Sequence, residues 1–159
     1  MDAFNNYKVN VNLRSSAERD PDFGSILVYY AHGNHSYIQD GSTKAMVSVN
    51  KFHEQLSQST IVSNNDKDGK GSVIVLHSCE TGGGSESFAE QLSAIRQNSV
   101  IVAPSGKVFD DHSVAGKGSW NVFLNGTQIT SVNGDNDSYM KLLKQLDHDM
   151  EGFVKKYAK

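Results

Sequence analysis

One cysteine and one histidine stand where a nucleophile and its general base could meet. Cys79, the single cysteine of the 159-residue chain, follows the apolar run 73–76 after His77 and Ser78, and His32 directly follows the apolar run 26–31. A free cysteine has a pKa of about 8.5 and is mostly protonated at neutral pH, whereas an adjacent imidazolium lowers that pKa. The pair predicts covalent acyl transfer, in which His32 activates the thiol and then protonates the leaving amine.

The two residues are predicted to lie at one edge of a parallel sheet. Residues 26–31 and 73–76 are continuously apolar, which is typical of strands buried on both faces; the second strand is predicted over 73–77, and residues 100–103 predict a third such strand. Sites in open α/β sheets lie in the crevice beyond the carboxyl ends of the strands. If the first two strands are neighbours, imidazole and thiol emerge together.

Glycines near His32 and Cys79 are predicted to assist the reaction. Gly33 has no Cβ, so its N–H can approach a substrate carbonyl closely and, with the N–H of Cys79, form an oxyanion hole. The glycine run 82–84 is predicted to bend the loop and expose further amides. A helix beginning near Ser85 would add positive potential if its N-terminus points at the thiolate.

The remaining patterns predict one mixed α/β domain over residues 1–159. Alternation in residues 7–13 predicts an edge strand, the polar stretch 14–22 a surface connection, and the stretch 64–72, which has no apolar residue, an exposed loop. Ser48 is predicted to cap one helix and Ser87 another. Asn125-Gly126 predicts a two-residue hairpin turn, and residues 138–156 predict a closing amphipathic helix.

Composition and charge favour a globular protein that binds neither nucleic acid nor membrane. The chain is 37% hydrophobic and 21% charged, with a formal charge of −3 and no long cluster of basic residues. The longest apolar run is too short to span a bilayer, and no Sec signal opens the sequence. We expect a soluble protein, either cytoplasmic or delivered by a specialised secretion system, whose oligomeric state the sequence leaves open.

Several residues allow more than one interpretation. A cysteine after a buried strand is often an inert packed residue, and His32, His35, His77 and Cys79 could instead supply a zinc site, although no ligand motif fixes its geometry. The candidate substrate-binding residues are Ser105, Asp110, Asp111 and Trp120. The two aspartates would favour a basic substrate residue or would be solvated, and Trp120 would anchor a substrate side chain or fill the core.

The chain resembles the caspase-like clan of cysteine peptidases (clan CD), which includes caspases, clostripain, gingipains and toxin self-processing domains. The shared pattern is an apolar block ending in His-Gly, here residues 26–33, and a second ending in Cys, here residues 73–79. The caspase histidine lies about 50 residues before its cysteine, and the spacing here is similar. The caspase signature around the cysteine is absent, and residues 78–82, 87–93 and 100–104 are more similar to caspase-like domains of bacterial polymorphic toxins and effectors.

The resemblance implies a three-layer αβα sandwich with a mainly parallel caspase-like sheet and a peripheral β-hairpin. It implies a cysteine endopeptidase that acts on a protein or peptide substrate, with His32 and Cys79 as the dyad and Gly33 and Cys79 as oxyanion donors. Such a dyad needs no cofactor or metal. Clostridial and RTX toxin domains bind inositol hexakisphosphate in a basic pocket, but the sequence has no comparable Lys/Arg cluster, so no such activator is predicted. The alternative is a non-catalytic caspase-like module that binds proteins.

Overall fold

The computed structural model describes Phe4 and residues 11–158. The strands in this part of the chain are β1 (Ile26–Tyr30), β2 (Ile38–Gln39), β3 (Met46–Val47), β4 (Val73–His77), β5 (Val100–Pro104), β6 (Ser119–Leu124) and β7 (Thr127–Asn133). The helices are α1 (Val11–Arg19), α2 (Val49–Gln55), α3 (Thr60–Lys67), α4 (Phe88–Ile95), α5 (Asn136–His148) and α6 (Met150–Tyr157). A 3₁₀ turn, Leu56–Gln58, follows α2.

Five strands form one mixed sheet in the order β1-β4-β5-β6-β7, and β2 and β3 form a separate antiparallel pair. The β1/β4 and β4/β5 pairings are parallel, whereas β5/β6 and β6/β7 are antiparallel. Two of the four strand pairings are thus parallel rather than most of them, and the predicted antiparallel hairpin is found as β6–β7, with β7 at the edge of the sheet. The hairpin β6–β7 continues the main sheet, because β6 pairs with β5 along its length.

Apolar residues cover both faces of the main sheet, and helices pack on each face. On one face lie buried residues of α2, α3 and α4, including Phe52, Val62 and Leu92. On the other face lie residues of α5 and α6, including Leu143 and Phe153. This explains why β4 and β5 are buried at every position and therefore read as continuous apolar runs.

The predicted core strands and the hairpin turn are confirmed. β1, β4 and β5 coincide with the three apolar runs to within one residue. Asn125 and Gly126 have φ values of 52° and 84°, which is the left-handed backbone that a tight two-residue hairpin turn requires. Ser48 and Ser87 cap α2 and α4, each accepting a hydrogen bond from an N–H in the first turn of its helix.

The N-terminal prediction is wrong where the structure describes it. Residues 7–10 of the predicted edge strand lie outside the described residues, but residues 11–13 begin helix α1, which continues through most of the predicted connection 14–22. Leu13, Ser16 and Ala17 have the i, i+3, i+4 spacing of one helical face, and the last two are buried. The helical period therefore prevails over the short alternation.

Two further boundaries differ from the sequence predictions. The segment 64–72 was expected as a loop, but its first four residues complete α3, which is anchored by the buried Val62 and exposes polar residues to solvent. The closing helix is interrupted at Asp149, which has φ −155° and caps α6 by accepting a hydrogen bond from the N–H of Gly152. Apolar residues continue at helical spacing across Asp149, so their spacing in 138–156 did not reveal the break between α5 and α6.

No helix among the described residues, Phe4 and 11–158, is both long and apolar enough to cross a lipid bilayer.

Candidate active site

His32 and Cys79 follow neighbouring strands that end side by side. In the parallel β1/β4 ladder Tyr30 lies opposite His77, and the N–H of Ala31 donates to the carbonyl of His77 at 3.2 Å. His32 and Cys79 each follow this pair by two residues. Residues two apart on an extended strand point to the same face. The condition set by the sequence, that the two strands be neighbours, is met.

Both residues line one cleft, which we call the dyad cleft. Its volume is about 410 Å³, and its lining residues are Leu13, Ser16, Ala31, His32, His77, Cys79, Val108, Phe109 and Asp110. His32 is exposed and Cys79 is half-buried. The Cys79 thiol donates a weak hydrogen bond to the carbonyl of Val108, with Sγ and O 3.9 Å apart. A substrate can therefore approach an imidazole and a thiol from the same opening.

The chain turns sharply directly after Cys79. Glu80 has φ +63°, which is uncommon for a residue other than glycine, and its N–H donates to the carbonyl of Gly106 at 2.9 Å. Strained backbone of this kind concentrates at functional sites. The turn follows the end of β4 at His77 and leaves the thiol of Cys79 just beyond the edge of the sheet.

The glycines after this turn serve close packing rather than the exposure of amides. A Cβ on Gly82 would lie 2.5 Å from the carbonyl oxygen of Ala103. The N–H of Gly82 donates to the carbonyl of Pro104 at 2.9 Å, and that of Gly83 donates to Glu80 at 3.3 Å. The expectation that residues 82–84 offer free amides is therefore corrected for Gly82 and Gly83.

The two predicted oxyanion donors have backbone N–H groups available. Among the described residues, neither the N–H of Gly33 nor that of Cys79 donates to a protein acceptor. Gly33 packs against Ser78, whose buried hydroxyl also has no hydrogen-bond partner in the described part of the chain. A Cβ at position 33 would overlap this hydroxyl and approach Thr81 Cγ2 to 3.1 Å. Glycine is therefore required there by packing.

The N-terminus of α4 does not support the thiolate as expected. The helix begins at Phe88, and its first N–H groups are satisfied by the protein: Phe88 donates to the carbonyl of His35 at 2.7 Å and Ala89 donates to that of Thr81 at 2.9 Å. The next N–H bonds the capping hydroxyl of Ser87. With its donors already used, this helix end offers little to an anion at Cys79.

A buried hydrogen-bonded chain that the sequence did not reveal lies behind the dyad cleft. His77 Nε2 lies 3.0 Å from His112 Nδ1, and His112 Nε2 lies 3.0 Å from Asp20 Oδ1. Asp20 Oδ2 accepts a hydrogen bond from the Tyr30 hydroxyl at 2.7 Å. Asp20 and His112 are 92 positions apart, and neither belongs to a recognisable motif, so only the fold brings them together.

Burial and hydrogen bonding set the charges of His77 and Asp20 in this hydrogen-bonded network. Complete burial, together with the nearby His112, lowers the pKa of His77 to about 3, so this ring is uncharged at neutral pH. Burial acts to raise the pKa of Asp20, but hydrogen bonds from His112 and Tyr30 outweigh it and bring that pKa below its usual value. The hydrogen bonds therefore connect the ionised carboxylate of Asp20, through His112, to the neutral imidazole of His77 at the cleft.

Aromatic rings enclose the two histidines. Tyr139 stacks on His112 with ring centroids 4.3 Å apart, and the Trp120 indole N–H donates to the carbonyl of His112 at 2.9 Å. Trp120 has 0% of its surface exposed. The expectation that Trp120 anchors a substrate side chain is corrected, because its ring fills the core beside β5 and α5.

The other predicted substrate-binding residues lie in different places. Asp110 lines both the dyad cleft and a neighbouring pocket of about 340 Å³, whereas Asp111 lines only the neighbouring pocket. Asp111 accepts hydrogen bonds from the N–H and hydroxyl of Ser113, which lower its pKa. The Ser105 hydroxyl accepts from the N–H of Ser119 at 2.9 Å and does not line the dyad cleft.

The alternative zinc site is not formed. His35 points towards the glycine loop, where its Nε2 lies 2.8 Å from the carbonyl oxygen of Ser85, and His77 bonds His112. Among the His, Cys, Asp and Glu residues of the described chain, no three are grouped so that they could hold a metal ion. His35 therefore lies apart from the other three candidate ligands, and those three, which line the dyad cleft, are not grouped as metal ligands.

Comparison with known proteins gives a family but no characterised relative. No curated protein and no solved structure matches the chain. Residues 2–122 match the family model described as Domain of unknown function (DUF8616). This region contains His32, Cys79, Asp20 and His112. Because the match covers most of the sequence, the chain belongs to the DUF8616 family.

Proposed function

We propose that this protein is a cysteine endopeptidase that works through a His32–Cys79 dyad and a covalent acyl-enzyme. The observation that carries the proposal is the in-register end of β1 and β4, which brings both residues to the lining of one cleft. The sharp turn at Glu80 and the available N–H groups of Gly33 and Cys79 support the same function. Nucleophile, base and oxyanion donors are the parts that acyl transfer requires.

We assign the fold to the three-layer αβα arrangement of caspase-like peptidases. Helices packed on both faces of a sheet whose β1, β4 and β5 run parallel support this assignment. The similarity of residues 78–82 and 87–93 to caspase-like domains of bacterial toxins and effectors supports a role as an effector or toxin domain. Its substrate would be a protein or peptide.

The proposed reaction proceeds in two steps. His32 takes the thiol proton, and the thiolate of Cys79 attacks the scissile carbonyl carbon to form a C–S bond, while the N–H groups of Gly33 and Cys79 bind the oxyanion. The imidazolium of His32 gives its proton to the leaving amine as the C–N bond breaks. Water then attacks the thioester with His32 as base, which releases the acid and restores the thiol.

Before attack, the thiol must leave the Val108 carbonyl. A carbonyl oxygen accepts a hydrogen bond from a thiol but offers nothing to a thiolate, so the contact at 3.9 Å belongs to the resting state. A rotation of the Cys79 side chain suffices to break this weak bond. The reactive thiolate would then face the open cleft.

The test is alkylation of the native protein with iodoacetamide across pH, followed by intact mass. Because Cys79 is the only cysteine, one added mass reports that thiol alone. The wild type is compared with Cys79→Ser, His32→Ala and His35→Ala. The last is a matched control, because His35 is exposed, lies three residues after His32 and bonds Ser85 instead of lining the cleft.

The expected result is rapid alkylation with an apparent pKa well below about 8.5 that returns towards this value in His32→Ala but not in His35→Ala. Peptide libraries would then identify cleaved sequences. A Cys79 that is inert, or that alkylates identically in wild type and His32→Ala, would refute the activated dyad. The non-catalytic binding module would then be the better description.

A further inference from the structure

The dyad cleft has a lining that suits one class of side chain. Its walls include the apolar Leu13, Ala31 and Val108, and the half-exposed ring of Phe109 lies at its rim. Asp110 supplies the carboxylate of the described lining, which contains no Lys or Arg. An apolar passage with a carboxylate accommodates a long aliphatic stem that ends in a cation.

Arg19 contacts Asp110 but leaves its carboxylate available. Arg19 Nη2 donates to the backbone carbonyl of Asp110 at 2.8 Å, and Arg19 lines the neighbouring pocket, not the dyad cleft. The Arg19 guanidinium therefore binds the main chain of the loop that carries Asp110, from the side of the neighbouring pocket. Its side chain is exposed and borders the cleft.

His77 also lines the cleft, but its ring is already engaged behind it. Its Nε2 lies 3.0 Å from His112 Nδ1, and its Nδ1 is buried without a hydrogen-bond partner among the described residues. The side chain of Asp110, by contrast, is exposed. Asp110 is therefore the carboxylate that a ligand in the cleft can reach.

The Asp110 carboxylate determines which charge the cleft favours. A carboxylate only accepts hydrogen bonds, so it pairs with a ligand that supplies N–H donors. An acidic side chain would instead meet a like charge at Asp110. The cleft thus disfavours Asp and Glu and favours groups rich in N–H donors.

We propose, building on the peptidase function above, that the dyad cleft is the subsite for the residue whose carbonyl is attacked, and that it selects Arg or Lys through Asp110. Asp110 is the specificity-determining residue, and its carboxylate binds the cationic end of the side chain. The apolar wall of the cleft covers the aliphatic stem. Asp111, the next residue along, takes no part.

The test uses peptidyl acyloxymethyl ketones, which alkylate a catalytic thiol as the C–S bond forms and a carboxylate leaves. Four probes differ only in the residue next to the ketone: Arg, Lys, Leu or Asp. Second-order labelling rates of Cys79 are measured at pH 8 for wild type, Asp110→Asn and Asp111→Asn. Asp111→Asn is the matched control, since it removes an equal exposed charge outside the dyad cleft.

The expected result is faster labelling by the Arg and Lys probes than by the Leu and Asp probes. In Asp110→Asn the rate with the Arg and Lys probes falls about tenfold, as expected for the loss of a hydrogen bond to a charged group, while the Leu rate is unchanged. Asp111→Asn behaves as wild type. Added salt lowers the Arg and Lys rates and leaves the Leu rate unaltered.

Different results separate the two proposals. Labelling of Cys79 that is as fast with Leu or Asp as with Arg and Lys, or an Arg preference that survives in Asp110→Asn, overturns the assignment of the subsite and leaves the peptidase intact. Cys79 that reacts with none of the four probes refutes the peptidase proposal itself, and the subsite with it.

Discussion

Replacing Gly33 with alanine tests how closely the two halves of the candidate site are packed. The new Cβ would overlap the Ser78 hydroxyl and lie 3.1 Å from Thr81 Cγ2. Both neighbours are buried, so they cannot swing into solvent. Overpacking of this kind costs about 1–3 kcal/mol. We expect Gly33→Ala to lower the free energy of unfolding by about that amount.

A second substitution identifies the atom responsible. Ser78→Ala removes the hydroxyl, which has no hydrogen-bond partner among the described residues, so this change alone should be neutral or slightly stabilising. In the double variant the nearest remaining atoms are Thr81 Cγ2 at 3.1 Å and Ser78 Cβ at 3.3 Å. Most of the clash is then gone. The double-mutant cycle should give a coupling of about 1 kcal/mol or more.

The measurement is urea unfolding followed by the fluorescence of Trp120, the single tryptophan, which is fully buried. Gly24→Ala is the control, because a Cβ there would have no neighbour within 4 Å. It should be neutral or stabilising by up to about 1 kcal/mol, since alanine restricts the unfolded chain. The reasoning is refuted if Gly33→Ala is as stable as wild type, or if Ser78→Ala does not relieve its cost.

Three further predictions use the same unfolding assay. The free energy of unfolding should fall as pH drops from about 6.5 towards 3. The buried His77, with its pKa lowered to about 3, stays uncharged in the folded protein, while the same residue in the unfolded chain takes up a proton. A free energy of unfolding that does not change over this pH range would contradict this. Asp149→Ala should cost about 1 kcal/mol by removing the cap of α6, and an unchanged midpoint would show that the cap is unimportant. Gly126→Ala should cost about 1–2 kcal/mol because φ is +84° there, whereas Asn125→Gly should be nearly neutral; equal effects would refute the turn assignment.

The strands that carry the candidate dyad could be predicted because their signal is local. A strand buried on both faces is apolar at nearly every position, and β4 is apolar from Val73 to Leu76 before it ends in the buried His77. The helix α1 was missed because residues 7–13 also alternate in polarity, and only the packing of Ser16 and Ala17 against the protein favours the helical period. The second half of α3 was missed because it buries almost no apolar surface.

Only some features of the candidate site could be predicted from the sequence. The sequence predicts that His32 and Cys79 each follow a strand. The parallel pairing of β1 with β4 then brings both residues to one cleft. The glycine run 82–84 was misread, because the sequence shows where a Cβ is missing but not which backbone approaches it. Packing against β5 explains Gly82, and its amide is already bonded.

The sequence by itself determined which segments form the core strands, where the hairpin turns, and which residue types could carry acyl transfer, because these depend on residues close together in the chain. The tertiary structure alone decided that the buried chain from Asp20 through His112 to His77 exists, that Trp120 lies in the core, and that Asp110 rather than Asp111 borders the dyad cleft. Each of these depends on the distance between residues far apart in the sequence, and folding sets that distance by burying both faces of one sheet at once.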